Sequence, residues 1–377
     1  MEKHDNQSKM DIILKLLLTV VFLYLFLISI SLMGASFKGF GKAFAETLLN
    51  STTNSFVGLF IGILATSLIQ SSSTTTSIVV GMVASGVLSI GNAVPIIMGA
   101  NIGTTATNTL VALGHVTRRE EFRRAIAGAT MHDFFNLIVV SILFPIELAT
   151  GMLQKSATYL ATVFIDTGGA TFVSPIKLAV SPVVKLIKHF FIDTVGMPGN
   201  SGYILMLVLS MVIIFISLYS IVKIMRSVII EKVERGLEEV LGANGFIGII
   251  AGLIITIAVQ SSSITTSLLV PLIGAGVLSL EVAFPITMGA NIGTTTTAIL
   301  ASFATGNPAA ITIAFVHLLF NLFGVLFLYP IRIFREIPIW LARWLGDLAF
   351  KKRRYAFMYV IGVFFIMPGI LIGISRL

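Results

Sequence analysis

Long apolar stretches run through most of this chain and are separated by short polar clusters. Hydrophobic residues make up 56% of the 377 positions and charged residues 11%, against about 25% charged residues in ordinary soluble domains. Helices of about 20 apolar residues cross the roughly 30 Å hydrocarbon layer of a bilayer. The pattern therefore predicts an all-α polytopic membrane protein with the lipid bilayer around it. Four charge-free windows are long enough to span: Leu16 to Gly34, Tyr203 to Val222, Pro308 to Ile331 and Tyr355 to Ser375.

An internal repeat relates the two halves of the chain at an offset of 190 residues. QSSSTTTS at Gln70 corresponds to QSSSITTS at Gln260, and PIIMGANIGTT at Pro95 corresponds to PITMGANIGTT at Pro285. Further along, MHDFFNL and VHLLFNL match at an offset of 185. The identities concentrate in Gln, Ser, Thr, Asn and Gly, which are costly to bury unpaired and contribute little to packing against lipid. The repeat therefore indicates a shared polar site.

Each repeat divides into three predicted parts. Two half-length apolar segments meet at QSSS and are too short to span, so they predict a re-entrant helical hairpin with QSSS at its tip. The GANIGTT segment predicts a transmembrane helix broken in mid-membrane, with a continuous kinked helix as the alternative, and a full span with His and Asn follows. The predicted divisions are residues 1–55 (first span and a connecting amphipathic segment), 56–147 (first repeat), 148–244 (external connection, span and amphipathic linker), 245–331 (second repeat) and 332–377 (interfacial segment and last span).

Clusters of Lys and Arg between the apolar windows predict the topology, because such clusters favour the cytoplasmic side. With the hairpins counted as non-crossing, the first hairpin enters from outside and the second from the cytoplasm, which is the inverted-repeat arrangement of many transporters. The segment from Thr150 to Ser201 is interpreted as an external or interfacial connection. The segment from Arg226 to Glu239 is either an amphipathic surface helix or a simple linker.

The repeated motifs are polar but almost uncharged. No Asp, Glu, Lys or Arg occurs from Thr47 to Thr117, and only Glu281 occurs from Val240 to Ile331. Hydroxyls, amides and free backbone N–H groups at half-helix N-termini bind anions, and their oxygens coordinate hard cations such as Na+. An anion held without Lys or Arg needs a co-bound cation, because an unpaired ion at low dielectric is costly. The residues alone leave phosphate, sulfate and dicarboxylates open.

Other classes of function are disfavoured by the same pattern. The net charge of +8 is spread over short clusters between spans, which argues against nucleic-acid binding. The chain has no cysteine and no G-x-S-x-G, H-E-x-x-H or P-loop motif, so an enzyme is not expected. An anion channel remains an alternative, because polar re-entrant loops also form selectivity filters. Two inverted copies favour alternating access.

Asp133 is the one acid within the full span of a repeat, and Leu318 replaces it in the second copy. A carboxylate within a membrane is by default a functional hypothesis. We interpret it as a Na+ ligand, with pairing to His132 or a nearby arginine as the structural alternative and proton relay as a third. His132 and His317 recur in both repeats and are interpreted as structural, bonded to neighbouring backbone. Glu281 is expected near the mouth of the second hairpin, in solvent.

The duplicated QSSS and GANIGTT motifs, with FRRAIAGATMHDFFN after the first pair, resemble those of the type II sodium–phosphate cotransporter family. The resemblance covers both repeats and implies import of inorganic phosphate driven by Na+. An aspartate at the position of Asp133 implies electrogenic transport. The animal members carry a disulfide between the repeats, so the absence of cysteine implies a bacterial-type member in the plasma (inner) membrane. Homo-oligomerisation is left open.

The site residues follow from this resemblance and from the repeat. His115 is included as a Na+ ligand because it stands where animal members have an amide near a Na+ site. The expected phosphate-binding residues are Gln70, Ser71, Ser72, Ser73, Asn101, Thr104, Gln260, Ser261, Ser262, Ser263 and Asn291. The expected Na+ ligands are Asp133, Asn136, Gln260, Ser261, Thr294, Thr297 and His115.

Overall fold

Helices make up the fold. The computed structural model describes residues 2–41, 54–167, 175–198, 200–240 and 245–375, and every regular element in those ranges is a helix. The helices are α1 Glu2–Gly39, α2 Ser55–Ile69, α3 Ser72–Ser85, α4 Ile90–Gly103, α5 Ala106–Leu113, α6 Arg119–Thr150, α7 Met152–Thr167, α8 Pro175–His189, α9 Ser201–Val240, α10 Gly245–Val259, α11 Ser262–Ala275, α12 Leu280–Thr305, α13 Pro308–Leu328, α14 Arg332–Lys351, α15 Arg354–Ile361 and α16 Met367–Ile374. Two π-helical turns, Phe190–Thr194 and Gly362–Ile366, follow α8 and α15.

Six stretches of helix in the described residues are long and apolar enough to cross a membrane. They include the four windows identified in the sequence, so the prediction of an all-α polytopic membrane protein is confirmed. The other two lie within the repeats. The six stretches are Met10–Gly39, Ile90–Leu113, Arg119–Thr150, Ser201–Met225, Pro308–Leu328 and Arg354–Ile374.

Both QSSS motifs interrupt their helices at the same residue. Helix α2 ends at Ile69, and Gln70 follows with φ of 59°; α10 ends at Val259, and Gln260 follows with φ of 58°. These are left-handed conformations that residues other than glycine seldom adopt. The chain then re-enters a helix at α3 and α11 after an extended serine. The helical breaks lie where the sequence places them, and the prediction that the hairpins do not cross the bilayer remains a prediction.

The first arm of each hairpin packs against the helix that follows the hairpin. Helix α2 packs on α4, and α10 packs on α12. Glycines make the contact close, because a Cβ added at Gly99 would overlap the carbonyl oxygen of Leu59 and one at Gly289 would overlap that of Ile249. Small residues of this kind let helix backbones approach each other in membranes. The repeat therefore preserves a packing interface as well as polar residues.

The two GANIGTT segments differ in structure. In the first copy the helix breaks at Thr104 and Thr105, between α4 and α5, as predicted; in the second copy α12 continues without interruption, so the prediction of a second broken helix is wrong. The sequences diverge just after the break, where Ala106 corresponds to Thr296 and Asn108 to Ala298. Asparagine competes for backbone hydrogen bonds and disfavours a helix interior, whereas alanine is the best helix former. The second copy is therefore a continuous helix, as in the alternative, and its kink remains a prediction.

The ends of the two hairpins contact opposite ends of the helix bundle. The second hairpin ends at the start of α6, where Arg124 Nε donates to the carbonyl oxygen of Gly274 over 2.8 Å. Helix α14, which follows α13, packs on the same end of α6, and Arg123 Nε donates to Asp347 over 2.6 Å. The first hairpin ends at the start of α13, where Asn307 Nδ2 donates to the carbonyl oxygen of Ala84 over 2.8 Å.

Helices also form outside the repeats. The connection from Thr150 to Ser201 contains α7, packed on α13, and α8, packed on α1. Helix α14 buries one face against α6 and leaves Trp340 and Trp344 exposed, as an interfacial helix does. The segment from Arg226 to Glu239 continues α9 as helix, but the side chains that would decide between a surface helix and a linker lie outside the described residues.

Candidate functional site

The two QSSS breaks carry the same side-chain hydrogen bond. The hydroxyl of Thr107 donates to Gln70 Oε1 over 2.7 Å, and that of Thr297 donates to Gln260 Oε1 over 3.0 Å. Each glutamine also donates from Nε2 to a carbonyl oxygen in the last turn of the preceding helix, that of Ser67 or Ile257. Both donors and acceptors of each amide are thus held by the protein. The glutamines are fixed in position at the hairpin tips.

The serines after each glutamine begin the second arm of the hairpin. Ser71 Oγ accepts from the backbone N–H of Thr74 over 3.2 Å, and Ser261 Oγ accepts from that of Ile264 over 3.3 Å. These two serines are N-caps, so their hydroxyl oxygens already have a partner. Ser72, Ser73 and Ser262 are buried, and Ser263 is partly exposed. The serines therefore surround two helix N-termini, where backbone N–H groups and the helix dipole favour an anion.

Hydrogen bonds between histidine and asparagine side chains join the two repeats, and each repeat contributes one histidine and one asparagine. His132 Nε2 lies 2.5 Å from Asn291 Oδ1, and His317 Nε2 lies 3.3 Å from Asn101 Oδ1. Each histidine bonds the asparagine of the other repeat, so the expectation that the histidines bond neighbouring backbone is wrong. The sequence offered no signal for partners 159 and 216 residues away. The GANIGTT asparagines thus lie where the two repeats meet.

A further set of amide bonds reinforces this meeting point. Asn136 Nδ2 donates to the Asn101 carbonyl oxygen over 3.0 Å, and Asn291 Nδ2 donates to Asn136 Oδ1 over 2.8 Å. In the second copy Asn321 Nδ2 donates to the Asn291 carbonyl oxygen over 3.3 Å. The amide oxygen of Asn136, an expected Na+ ligand, is therefore shared with Asn291.

Asn108 connects the first broken helix to the second hairpin. Its Oδ1 accepts from Thr266 over 2.9 Å and from Ser267 over 3.0 Å. No equivalent bond forms in the other direction among the described residues, because Ala298 replaces Asn108 and the hydroxyl of Ser77 is buried without a partner. The helix break at Thr104 and Thr105, and Asn108 after it, therefore occur in the first repeat only. The repeat search missed Asn108, since it lies at a position where the copies differ.

Asp133 is fully buried, and neither of its carboxylate oxygens has a hydrogen-bond partner of standard geometry among the described residues. The alternative in which His132 or an arginine pairs with it is therefore wrong. Glu147, also buried, behaves differently, because its carboxylate accepts from the backbone N–H groups of Leu153 over 2.6 Å and Gln154 over 3.2 Å. Glu147 thus serves a structural role at the start of α7. The carboxylate of Asp133 has no comparable hydrogen bonds to backbone N–H groups among the described residues.

Three other expected ligands have partners elsewhere. The hydroxyls of Thr104 and Thr294 each donate over 3.0 Å to a carbonyl oxygen of their own helix. His115 lies 3.3 Å from Glu121, which also pairs with Arg118 over 2.9 Å. Within the described residues no hydrogen bond connects His115 with any other expected site residue. Glu281 is exposed and pairs with Arg343, as expected for a residue in solvent.

Besides Asn108, sequence reasoning omitted three residues that the structure brings to this region. Thr107 occupies the position in the first repeat that Thr297 occupies in the second, and this symmetry could have identified it. Thr105 and Tyr359 are the residues whose hydroxyls approach Asp133. Tyr359 is far from both repeats in sequence, and only the fold brings it close.

The chain is similar over nearly its whole length to proteins of known function. The family model described as Na+/Pi-cotransporter matches residues 25–173 and 213–334. The sodium-dependent phosphate transport protein 2A of Ovis aries is 35% identical over 96% of this chain and 68% of its own length. The 2B protein of Homo sapiens is 35% identical over 96% of this chain and 65% of its own length. No solved structure matches. The chain therefore belongs to the Na+/Pi-cotransporter family.

Proposed function

We propose that this protein is a Na+-coupled symporter that imports inorganic phosphate across the plasma membrane and moves net charge. The observation that carries the proposal is the duplicated tip, where Gln70 and Gln260 are fixed by equivalent threonine bonds beside two serine-capped helix N-termini. Hydroxyls and N–H groups suit the oxygens of phosphate. Family membership and the names of the relatives supply the substrate and the ion.

The lack of buried basic groups at the tips supports coupling to a cation. The described tips contain no Lys or Arg, so phosphate brought there needs positive charge from another source. Asp133, buried and unpartnered, supplies a carboxylate for Na+ close to the meeting point of the repeats. We assign it, together with Asn136 and Thr105, to a Na+ site. Gln260 and Thr297 belong to a second polar cluster around the other tip.

A cavity at the end of the bundle that carries Asn307 and Ala84 supports phosphate uptake from that side. Its volume is about 340 Å³, and among the described residues its lining includes Lys38, Lys177 and Lys185 but no acid. Positive charge in a cleft raises the local concentration of an anion and its association rate. In the proposed topology this end faces outward, because α1 leads to it from the cytoplasmic N-terminus.

The proposal is tested by uptake of labelled phosphate into proteoliposomes with an inward Na+ gradient. Na+-dependent accumulation that neither sulfate nor succinate competes is the expected result, with K+ in place of Na+ as the control. Equilibration without accumulation would favour an anion channel. Competition by succinate would retain the architecture and overturn the substrate.

Asp133→Gly tests the charge coupling. Removal of the carboxylate is expected to make transport electroneutral, because the cation whose charge it balances is no longer carried. The measurement is current per phosphate transported at fixed voltage, with the buried but satisfied acid in Glu147→Gln as the control. An unchanged ratio of charge to phosphate in Asp133→Gly would remove this residue from the ion site.

A further inference from the structure

The last span of the chain approaches the buried Asp133. This span consists of α15, the π-helical turn Gly362–Ile366 and α16, and it packs on the first hairpin through α2. Most of its surface is exposed outside the bundle. Tyr359 differs from its neighbours, because its ring is partly exposed while its hydroxyl is buried without a hydrogen-bond partner. That hydroxyl faces the carboxylate of Asp133.

The oxygens around Asp133 come from three elements. Asp133 lies on α6, Thr105 in the break between α4 and α5, and Tyr359 on the last span. The Thr105 hydroxyl already donates its proton to the carbonyl oxygen of Ile102 over 2.9 Å, so its lone pairs remain for the site. Within the described residues, neither oxygen of Asp133 nor the hydroxyl oxygen of Tyr359 has a hydrogen bond of standard geometry. The O–H of Tyr359 is therefore the one uncommitted donor in this group, against the lone pairs of two carboxylate oxygens.

A purely structural role does not account for this group. One tyrosine O–H can satisfy at most one lone pair of the aspartate, whereas two backbone N–H groups bond the carboxylate of Glu147. Buried polar groups that remain unpaired are costly, so their presence calls for a partner. Carboxylate and hydroxyl oxygens are hard ligands that suit a small cation such as Na+. A cation would satisfy the lone pairs of the carboxylate and of the hydroxyls together.

The surroundings of Tyr359 hold its ring in place. Phe134 lies at a centroid distance of 5.7 Å and Phe364 at 6.1 Å. The π-helical turn begins three residues later at Gly362, where no atom lies within 4 Å of an added Cβ. Such turns occur frequently at functional sites, since they change the direction in which nearby side chains project.

We propose that Tyr359 is a cation ligand that completes the Asp133 site from the last span. The inference rests on the proposed function in that the cation is taken to be the co-transported Na+. Residues 335–377 lie outside the match to the family model, so Tyr359 is a feature of this chain that the family comparison does not assign. The last span thereby takes part in ion binding and is more than a lipid-facing support.

Tyr359→Phe removes one oxygen and leaves the ring. We expect the Na+ concentration for half-maximal phosphate uptake to rise about tenfold, while the KM for phosphate at saturating Na+ stays within twofold. The matched control is Tyr355→Phe, one turn earlier on the same helix, where the ring lies 5.6 Å from Arg354. A lower maximal rate with unchanged Na+ dependence would show a structural role and overturn the inference.

A second measurement does not depend on transport. Purified protein is heated in detergent with increasing NaCl, and KCl keeps the ionic strength constant. Na+ is expected to raise the Tm of the parent protein, and Tyr359→Phe is expected to need about ten times more Na+ for the same rise. Equal Na+ dependence in the two proteins would overturn the role of Tyr359 and leave the symporter standing, whereas uptake by the parent protein without Na+ would overturn the symporter itself.

Discussion

At the scale of single residues, the glutamines of the two hairpin tips are the most constrained. Gln70 and Gln260 both hold a left-handed backbone, with φ of 59° and 58°, where glycine would be free of strain. A strained non-glycine residue of this kind costs on the order of 1–3 kcal/mol and occurs preferentially at functional sites. A side chain is therefore needed at these positions. The threonine that fixes each amide is part of the same requirement.

Thr297→Val tests this requirement, because it keeps the shape and removes the donor to Gln260. We expect phosphate uptake to fall about tenfold, the equivalent of about 1.4 kcal/mol. The measurement is the initial rate of uptake at subsaturating phosphate.

Thr109→Val is the matched control, since the Thr109 hydroxyl is buried without a partner and its loss is expected to change little. Thr297→Ser keeps the donor and should retain most of the uptake. A Thr297→Val protein as active as the parent would separate the glutamine orientation from substrate binding.

The sequence predicted which residues are important better than it predicted which residues they contact. The burial of Asp133 followed from an acid inside an apolar span, and the importance of Gln260 followed from the repeat. The groups around Asp133 could not be predicted, because Thr105 and Tyr359 reach it from other segments of the fold. The hydrogen bonds from each histidine to the asparagine of the other repeat likewise form only in the folded chain.

At the scale of helices, close packing of the hairpins determines how the tips are presented. The hairpin arms α2 and α10 approach α4 and α12 closely, because glycines at the contacts leave room for the opposing carbonyl groups. The same glycines are present in both copies, so both hairpins are held in the same way. Movement of a hairpin arm would displace its glutamine.

Gly289→Ala is expected to separate α10 from α12. An added Cβ would overlap the Ile249 carbonyl oxygen, and overpacking of this kind costs about 1–3 kcal/mol. We expect a lower Tm in detergent and loss of uptake. Gly369→Ala, in α16, is the control, because nothing lies within 4 Å of its Cβ and helix propensity improves. Unchanged Tm in Gly289→Ala would mean that the two helices lie farther apart than described.

The spanning helices could be predicted well, because length and apolar composition determine them. The helix break could be predicted poorly, because contacts with distant residues bear on it. Gly and Thr in both GANIGTT segments suggested two breaks, yet only the first copy has one. In the first copy Asn108 follows the break, and its amide oxygen accepts from Thr266 and Ser267 of the other repeat. A local sequence does not reveal such support from a distant hairpin.

At the scale of the whole molecule, the hairpin ends contact opposite ends of the bundle, at Arg124 for the second hairpin and Asn307 for the first. In the proposed topology, one hairpin therefore opens outward and the other inward. The chain has no cysteine, so a single introduced thiol reports its own position without a background signal.

Ser85→Cys and Ala275→Cys occupy equivalent positions at the ends of the two hairpins. We expect a membrane-impermeant thiol reagent added to intact cells to label Ser85→Cys only. Ala275→Cys should react after the membrane is opened, and the cysteine-free parent protein is the control. Labelling of both variants from outside would contradict the inverted arrangement.

The reciprocal pairing of His132 with Asn291 and of His317 with Asn101 has a consequence for how the gene can change. Neither half is self-sufficient, because each supplies the buried acceptor for the other's imidazole. After the duplication, the two copies could therefore drift in their lipid-facing positions but had to co-evolve at these four. A selection for regained growth on limiting phosphate, begun from a defective Asn291 variant, would accordingly find its suppressors in the first half of the coding sequence.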